Sequence, residues 1–163
     1  MKKKAIFFVV LIAFFTGFSC STNIDLSSEK TAVKDVIHKL LESYELEDMD
    51  LHASIMAQDE DMVNFGTDVA EHHIGWEAWK ESHLAQWAAI DKTEITSTDL
   101  VVSLAETGNV AWFSDITNWT LIIQSDTMTV NNVRFTGVLE KREEKWKIVQ
   151  VHASIPQGQT LEY

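Results

Sequence analysis

Three polar residues, His152, Arg134 and Asp115, interrupt stretches rich in apolar and β-branched residues, and a fourth, Asp68, stands in a turn. In the segment Lys145 to Ser154, Trp146, Ile148, Gln150, His152 and Ser154 share one face, and Lys147, Val149, Val151 and Ala153 share the other. The first set grows polar toward Ser154, as in a strand running from packed core to cavity. His152 is therefore the leading candidate for a pocket group able to donate, accept or act as general base near neutral pH. The competing reading is a buried imidazole satisfied by a backbone carbonyl.

Arg134 alternates with Phe135, and an arginine in such a strand must be paired or solvated. Its planar fork can clamp a carboxylate-like anion, with Thr136 two residues along the same face. It can equally pair with Asp68, Asp115 or Glu71 and only hold the domain together. Asp115 stands among Trp112, Phe113, Ile116 and Trp119, where burial would suit a carboxyl to acid or base chemistry and exposure would make it inert. Asp68 follows Gly66-Thr67, where hydrogen bonding to the local backbone competes with a pocket role.

His72 and His73 invite a metal reading, but neighbours in an extended segment point to opposite sides. Glu71 and His73 can share a side, yet two ligands are too few for zinc. No metal and no cofactor are expected, and His73 is assigned to the pocket mouth. His83 shares a helical stripe with Trp79 and Trp87 and reads as a packed core histidine. Phe65, Trp76, Trp112 and Trp119 are candidates for an apolar or stacking wall, with core filling as the alternative; Trp146 is assigned to the core.

The elements that position these groups are legible from periodicity. Val33, Val36, Ile37, Leu40, Leu41 and Tyr44 recur at helical steps over Ser28 to Tyr44, with Ser27 or Ser28 as N-cap. A short helix is expected over Asp50 to Ala57, and brief strands over Met62 to Phe65 and His72 to Ile74. From Trp76 to Ile90 the stripe Trp76, Trp79, His83, Trp87, Ile90 predicts a third helix. Four strands follow: Thr93 to Leu104, Val110 to Ile123, Thr127 to Lys141 and Lys145 to Ser154. Their short connections predict antiparallel neighbours, and three helices leading into a meander describe an α+β domain.

The N-terminus reads as an address. Lys2, Lys3 and Lys4 precede the apolar run Ala5 to Phe15 and the small residues up to Cys20, which is the only cysteine in the 163-residue chain. The run is shorter than the ~20 residues a spanning helix needs. The segment resembles a bacterial lipobox, with Gly17 where an aliphatic residue is usual. Residues 1–19 are expected to be a signal peptide, Cys20 a lipidation site, 20–27 a tether, 28–156 one domain and 157–163 a tail. The expected location is the bacterial cell envelope, exported and anchored to the membrane through lipid on Cys20, with ordinary cleavage at the small pair Gly17 and Ser19 as the alternative. A net charge of −12 argues against nucleic acid as a partner, because phosphate binding needs clustered Lys and Arg. That acidity serves solubility or steers a cationic ligand.

Three stretches carry a family likeness: Phe65-Gly66-Thr67-Asp68 with Glu71, Gly75, Glu77 and Ala78; Gly108 to Phe113; and Arg134 to Val138 leading to Trp146 through Ser154. Together they resemble the SnoaL-like branch of the nuclear transport factor 2 superfamily. The resemblance implies three helices packed on a strongly curved antiparallel sheet, a cystatin-like cone with a pocket in its open end. Family activities span isomerases, cyclases, hydrolases, dehydratases and pure binding modules, with dimers through the outer sheet face common. Steroid isomerases of the superfamily use a tyrosine on the first helix, an aspartate after the second and an acid on a later strand. The nearest positions here, around Leu40, Asn64 to Phe65 and Thr136, do not supply them. The expected function is binding of a small apolar or anionic molecule, anchored by Arg134, His152 and Asp115. The alternatives are an isomerase- or cyclase-type enzyme using His152 and Asp115 beside a carbonyl, and a homodimeric assembly module.

Overall fold

The computed structural model describes residues 25–156 and Gly158. The expected signal peptide, Cys20 and nearly all of the expected 157–163 tail lie outside the described residues. Within them no helix is long and apolar enough to cross a membrane.

Helix α1 runs Leu26–Leu46, capped by Asp25, whose Oδ1 accepts from Ser27 N at 3.0 Å and Ser28 N at 3.3 Å. The cap thus falls before the two serines expected to supply it. An aspartate there satisfies two orphan donors and suits the positive end of the helix. Val33, Ile37 and Leu40 are wholly buried on one stripe. Each such side chain contributes roughly 1.5–3 kcal/mol of transfer free energy. Glu29 in the first turn accepts from Lys141 Nζ at 2.7 Å and Trp146 Nε1 at 2.8 Å, pinning α1 to the far hairpin.

Helix α2 (Met49–Ile55) is capped by Asp48. Strands β1 (Val63–Phe65) and β2 (His72–Ile74) form a small hairpin, and α3 spans Trp76–Trp87. The expected Thr93 to Leu104 strand is two, β3 (Lys92–Ser97) and β4 (Val101–Leu104), followed by β5 (Val110–Ile123), β6 (Asp126–Arg142) and β7 (Lys145–Ser154). The break has a cause: β3 pairs with Thr117 to Ile122 of β5 and β4 with Ala111 to Ser114. Between them Asp115 Oδ1 accepts from Asp99 N at 3.2 Å, and Ile116 O accepts from Thr98 N at 2.8 Å. The long β5 thus carries two successive edge partners, and the loop between them is held to it at that point.

The sheet order is β2-β1-β7-β6-β5-β3, with β4 also on β5. It is curved and not closed, and the helices pack on its concave face. One feature departs from the antiparallel expectation: β1 joins β7 in parallel, through Phe65 and His152. The hairpin turns at Gln124-Ser125 and Glu143-Glu144 place both central residues at positive φ, the arrangement that matches strand twist.

Two β-bulges set the faces. Opposite Asn118, β6 carries Asn131 and Asn132, so Met128 and Val130 point inward before the bulge and Val133 and Phe135 after it. On β7, Val149 is the extra residue between the pairs Val138–Gln150 and Leu139–Ile148. A bulge breaks the two-residue alternation, so the inner set is Trp146 and Ile148 before it, then Val151 and Ala153.

Candidate functional site

Between α1, α3, the β1–β2 hairpin and the outer ends of β5 to β7 lies a cavity of about 280 Å³. That is close to the lower end of the ~300–1,000 Å³ range of small-molecule sites. Its walls are aromatic on the helix side, with Trp79 and Trp87 from α3, and mixed on the sheet side, where Trp119 of β5 joins Leu121, Val130 and Val151 among others.

A polar chain runs through the floor. His83 Nδ1 lies 2.8 Å from Trp79 O, so Nδ1 carries the proton and Nε2 is left to accept from the Tyr44 hydroxyl at 3.0 Å. Trp79 Nε1 donates to His52 Nε2 at 3.0 Å. His52 Nδ1 therefore donates to Ser43 Oγ at 2.9 Å, and Ser43 donates in turn to Leu40 O at 2.7 Å. Both imidazoles are fixed as the neutral Nδ1–H tautomer. Burial pushes His52 down to about 3, helped by the neighbouring His83, and His83 down to about 4, where the bond to Trp79 O opposes the shift. Burial raises the Tyr44 phenol well above its usual range, with the Glu71 charge as a second cause.

Glu71 is the acidic group of the wall. Its Oε2 accepts from Asp68 N and its Oε1 from Gln86 Nε2, each at 2.8 Å. The carboxylate folds back over Gly66, where a Cβ would stand 2.2 Å from Glu71 Oε2. Gly66→Ala is thus expected to displace the carboxylate while leaving the fold intact. Loss of the Asp68 amide's exchange protection, with unchanged far-UV circular dichroism, is the readout; an unaltered amide would show that the loop accommodates the methyl.

Of the residues singled out from sequence, His73, Trp119 and Phe65 border the cavity. His73 stands edge-on to Trp79 at 5.6 Å. The Phe65 ring stacks on His72 at 4.8 Å and meets His152 at 5.7 Å. His152 itself is exposed and not part of the wall: the bulge at Val149 puts Val151 and Ala153 inward in its place. Arg134 is also exposed, because the apolar set Phe135, Gly137 and Leu139 takes the inner face of β6. Among the described residues it forms none of the ion pairs expected with Asp68, Asp115 or Glu71. Thr136 shares its outer face and donates to His152 O at 3.5 Å.

Asp115 is buried, 2% exposed, but it faces the β3–β4 break and does not line the cavity; its Oδ2 has no partner among the described residues. Asp68 makes the local turn, its Oδ1 accepting from Ala70 N at 2.8 Å. Trp76 is core, stacked on His52 at 6.1 Å, and Trp112 is 48% exposed on the outer face. The structure therefore does not bring His152, Arg134 and Asp115 together.

Missed as cavity residues were Tyr44, Glu71, His83 and Gln86. Tyr44 closes the apolar stripe of α1, one turn beyond Leu40, so the first helix does present a phenol to the cavity. Gln86 sits three residues after His83 on the α3 stripe, and a polar residue in such a position is the available signal. His52 was passed over because a lone histidine in a short helix carries no periodic mark. Asn64 is wholly buried on β1, with Oδ1 accepting from Val151 N at 2.7 Å and Nδ2 lacking an acceptor among the described residues. Among those residues no three His, Cys, Asp or Glu side chains gather as a metal site.

The family model for the SnoaL-like domain matches residues 33–158. Similar solved structures include a nuclear transport factor 2-like superfamily protein from Salmonella enterica serovar Typhimurium, with TM-score 0.73, 18% identity, and coverage of 82% of this chain and 95% of that one. A provisionally named dehydratase of the nuclear transport factor 2-like family from Streptomyces avermitilis gives TM-score 0.71 and 17% identity over 81% of this chain and 99% of its own. A nuclear transport factor 2-like protein of unknown function from Pseudomonas putida gives 0.69 and 15% over 84% and 95%. At such identities the likeness is one of fold. No curated protein matches the sequence.

Proposed function

We propose that this chain, which belongs to the SnoaL-like domain family, binds a small and largely apolar molecule in the cavity beneath α3. One observation carries the reading: an apolar hollow, aromatic and aliphatic by turns, whose polar groups (Tyr44, Thr67, Glu71, His73, His83, Gln86 and Thr93) are placed to orient a guest. The neutral tautomers of the floor leave the Tyr44 oxygen able to accept and the Glu71 carboxylate able to accept, so the favoured guest carries a donor. The anionic ligand expected from Arg134 loses its support, since among the described residues no Lys or Arg lines the wall. In this reading the basic, apolar N-terminus and Cys20 hold the domain at the cell envelope, as their sequence pattern suggests.

The test is to fill the hollow. Ala153 lines it from β7, and Ala153→Phe is expected to keep the domain folded while abolishing the rise in melting temperature produced by any hit from a panel of small apolar amines, alcohols and ketones. A stabilising compound that still acts on the filled variant binds elsewhere and removes the cavity from the proposal.

Acid–base catalysis beside a carbonyl is the second reading, and the observation favouring it is that Glu71 and His73 both reach the wall with the Tyr44 hydroxyl. Such chemistry would run through those three groups and not through His152 and Asp115.

A further inference from the structure

We infer that the cavity is an aromatic cage for a small organic cation, an alkylated or protonated amine, with Glu71 as its counter-ion. The inference rests on the cavity being a ligand site and names the class of ligand. Three observations converge on it.

The first is the wall. Tyr44 meets Trp119 at 5.3 Å and 69°, and Trp87 at 6.2 Å and 89°. Rings crossed at such angles enclose a corner, whereas parallel rings would form a slot for a flat guest. Aromatic faces carry negative potential, and a cation within ~6 Å of several of them is attracted by each. Trp79 adds a fourth ring to the lining from the helix side.

The second is the charge inventory. Glu71 forms no salt bridge among the described residues. Its two oxygens receive only the neutral donors Asp68 N and Gln86 Nε2. Each of them keeps further lone-pair capacity. His83 on the same wall does not compensate, because it is held neutral by its tautomer and its surroundings. A half-buried carboxylate on the wall of an apolar hollow, bonded only to neutral donors, is placed to receive a cation from a guest.

The third is the field at longer range. At −12 the chain draws cations toward itself, and among the described residues the wall contributes no Lys or Arg to repel them. An anion would meet the opposite conditions at each step. A neutral apolar guest would gain from the rings but would leave Glu71 unpaired.

The experiment compares two molecules of nearly the same shape, choline and 3,3-dimethylbutan-1-ol, which differ by a quaternary nitrogen in place of a quaternary carbon. Titration calorimetry on the mature-length chain is expected to show choline binding at least about tenfold more tightly than the alcohol, with tryptophan fluorescence changing in step. Glu71→Gln should bring the two affinities together, and Trp119→Leu should weaken choline more than the alcohol. The two variants test different halves of the cage, so misfolding of one leaves the other decisive. Equal or tighter binding of the alcohol overturns the cation assignment while leaving the cavity a ligand site. Binding of neither molecule also overturns it, and the panel with the Ala153→Phe control then decides whether the cavity binds anything.

Discussion

Acidification from neutral pH to about 4.5 is expected to remove roughly 3–5 kcal/mol of stability from this domain, chiefly through His52 and His83. Both are held neutral in the fold, at about 3 and about 4 against an ordinary 6.5. The unfolded chain therefore takes up protons first as pH falls. Their contribution is fully present above the unfolded value near 6.5 and is lost progressively as pH drops toward the folded values. Each histidine contributes a slope of at most ~1.4 kcal/mol per pH unit in that window. Glu29 and Asp59 add losses of the same sign, but theirs begin lower, because the partners that depress them, Lys141 with Trp146 and Arg142, act on carboxylates whose ordinary values are already 4.5 and 3.8. Urea midpoints measured between neutrality and the acid limb should report close to two protons taken up on unfolding. His52→Gln should remove about one of them even though the variant is itself less stable. A midpoint flat across the window would show that the imidazoles titrate normally and that the floor is wetter than its geometry indicates.

Gly137→Val should be among the most damaging single substitutions available. Gly137 lies on the inner face of β6, opposite Val151, and a Cβ there would stand 2.5 Å from Phe113 Cε1 and 2.6 Å from Gln150 O. The ring can shift, but the carbonyl belongs to the neighbouring strand and moves only if the β6–β7 ladder does. Overpacking of this kind ordinarily costs ~1–3 kcal/mol, and a β-branched side chain against backbone belongs at or above the top of that range. Thr136→Val, one residue away on the outer face, is the control and should change stability by less than about 1 kcal/mol. If the two variants denatured at the same urea concentration, the close approach of β6 to β7 would not be what the glycine is for.

Much of the scaffold could be read before any coordinates. The stripes of α1 and α3 and the period-two runs of β5, β6 and β7 are long, and long periodic signals survive tertiary packing. The parallel joining of β1 to β7 and the division of β3 from β4 were hidden, because each depends on a partner remote in the chain. The site was read less well for a related reason. Alternation correctly grouped Arg134 with Thr136 and opposed them to Phe135, but it cannot say which group faces in; the apolar set took the core. Along β7 even the grouping failed, since no residue type announces that Val149 is supernumerary. His83 was read correctly as packed, yet a packed histidine can also floor a cavity, and only the hydrogen bond to Tyr44 reveals that it does. Glu71 was weighed as an ion-pair partner for Arg134, a pairing the structure does not make.

The supernumerary Val149 also bears on how relatives are to be compared. Strand length normally changes at hairpin ends, so an alignment would ordinarily absorb an indel in the Glu143-Glu144 loop. Against a relative without the bulge, the gap belongs inside the strand, between Ile148 and Gln150. Shifting it to the loop would displace the flanking inward positions by one and exchange aliphatic columns for polar ones. A homologue threaded that way would acquire a spurious histidine in its lumen.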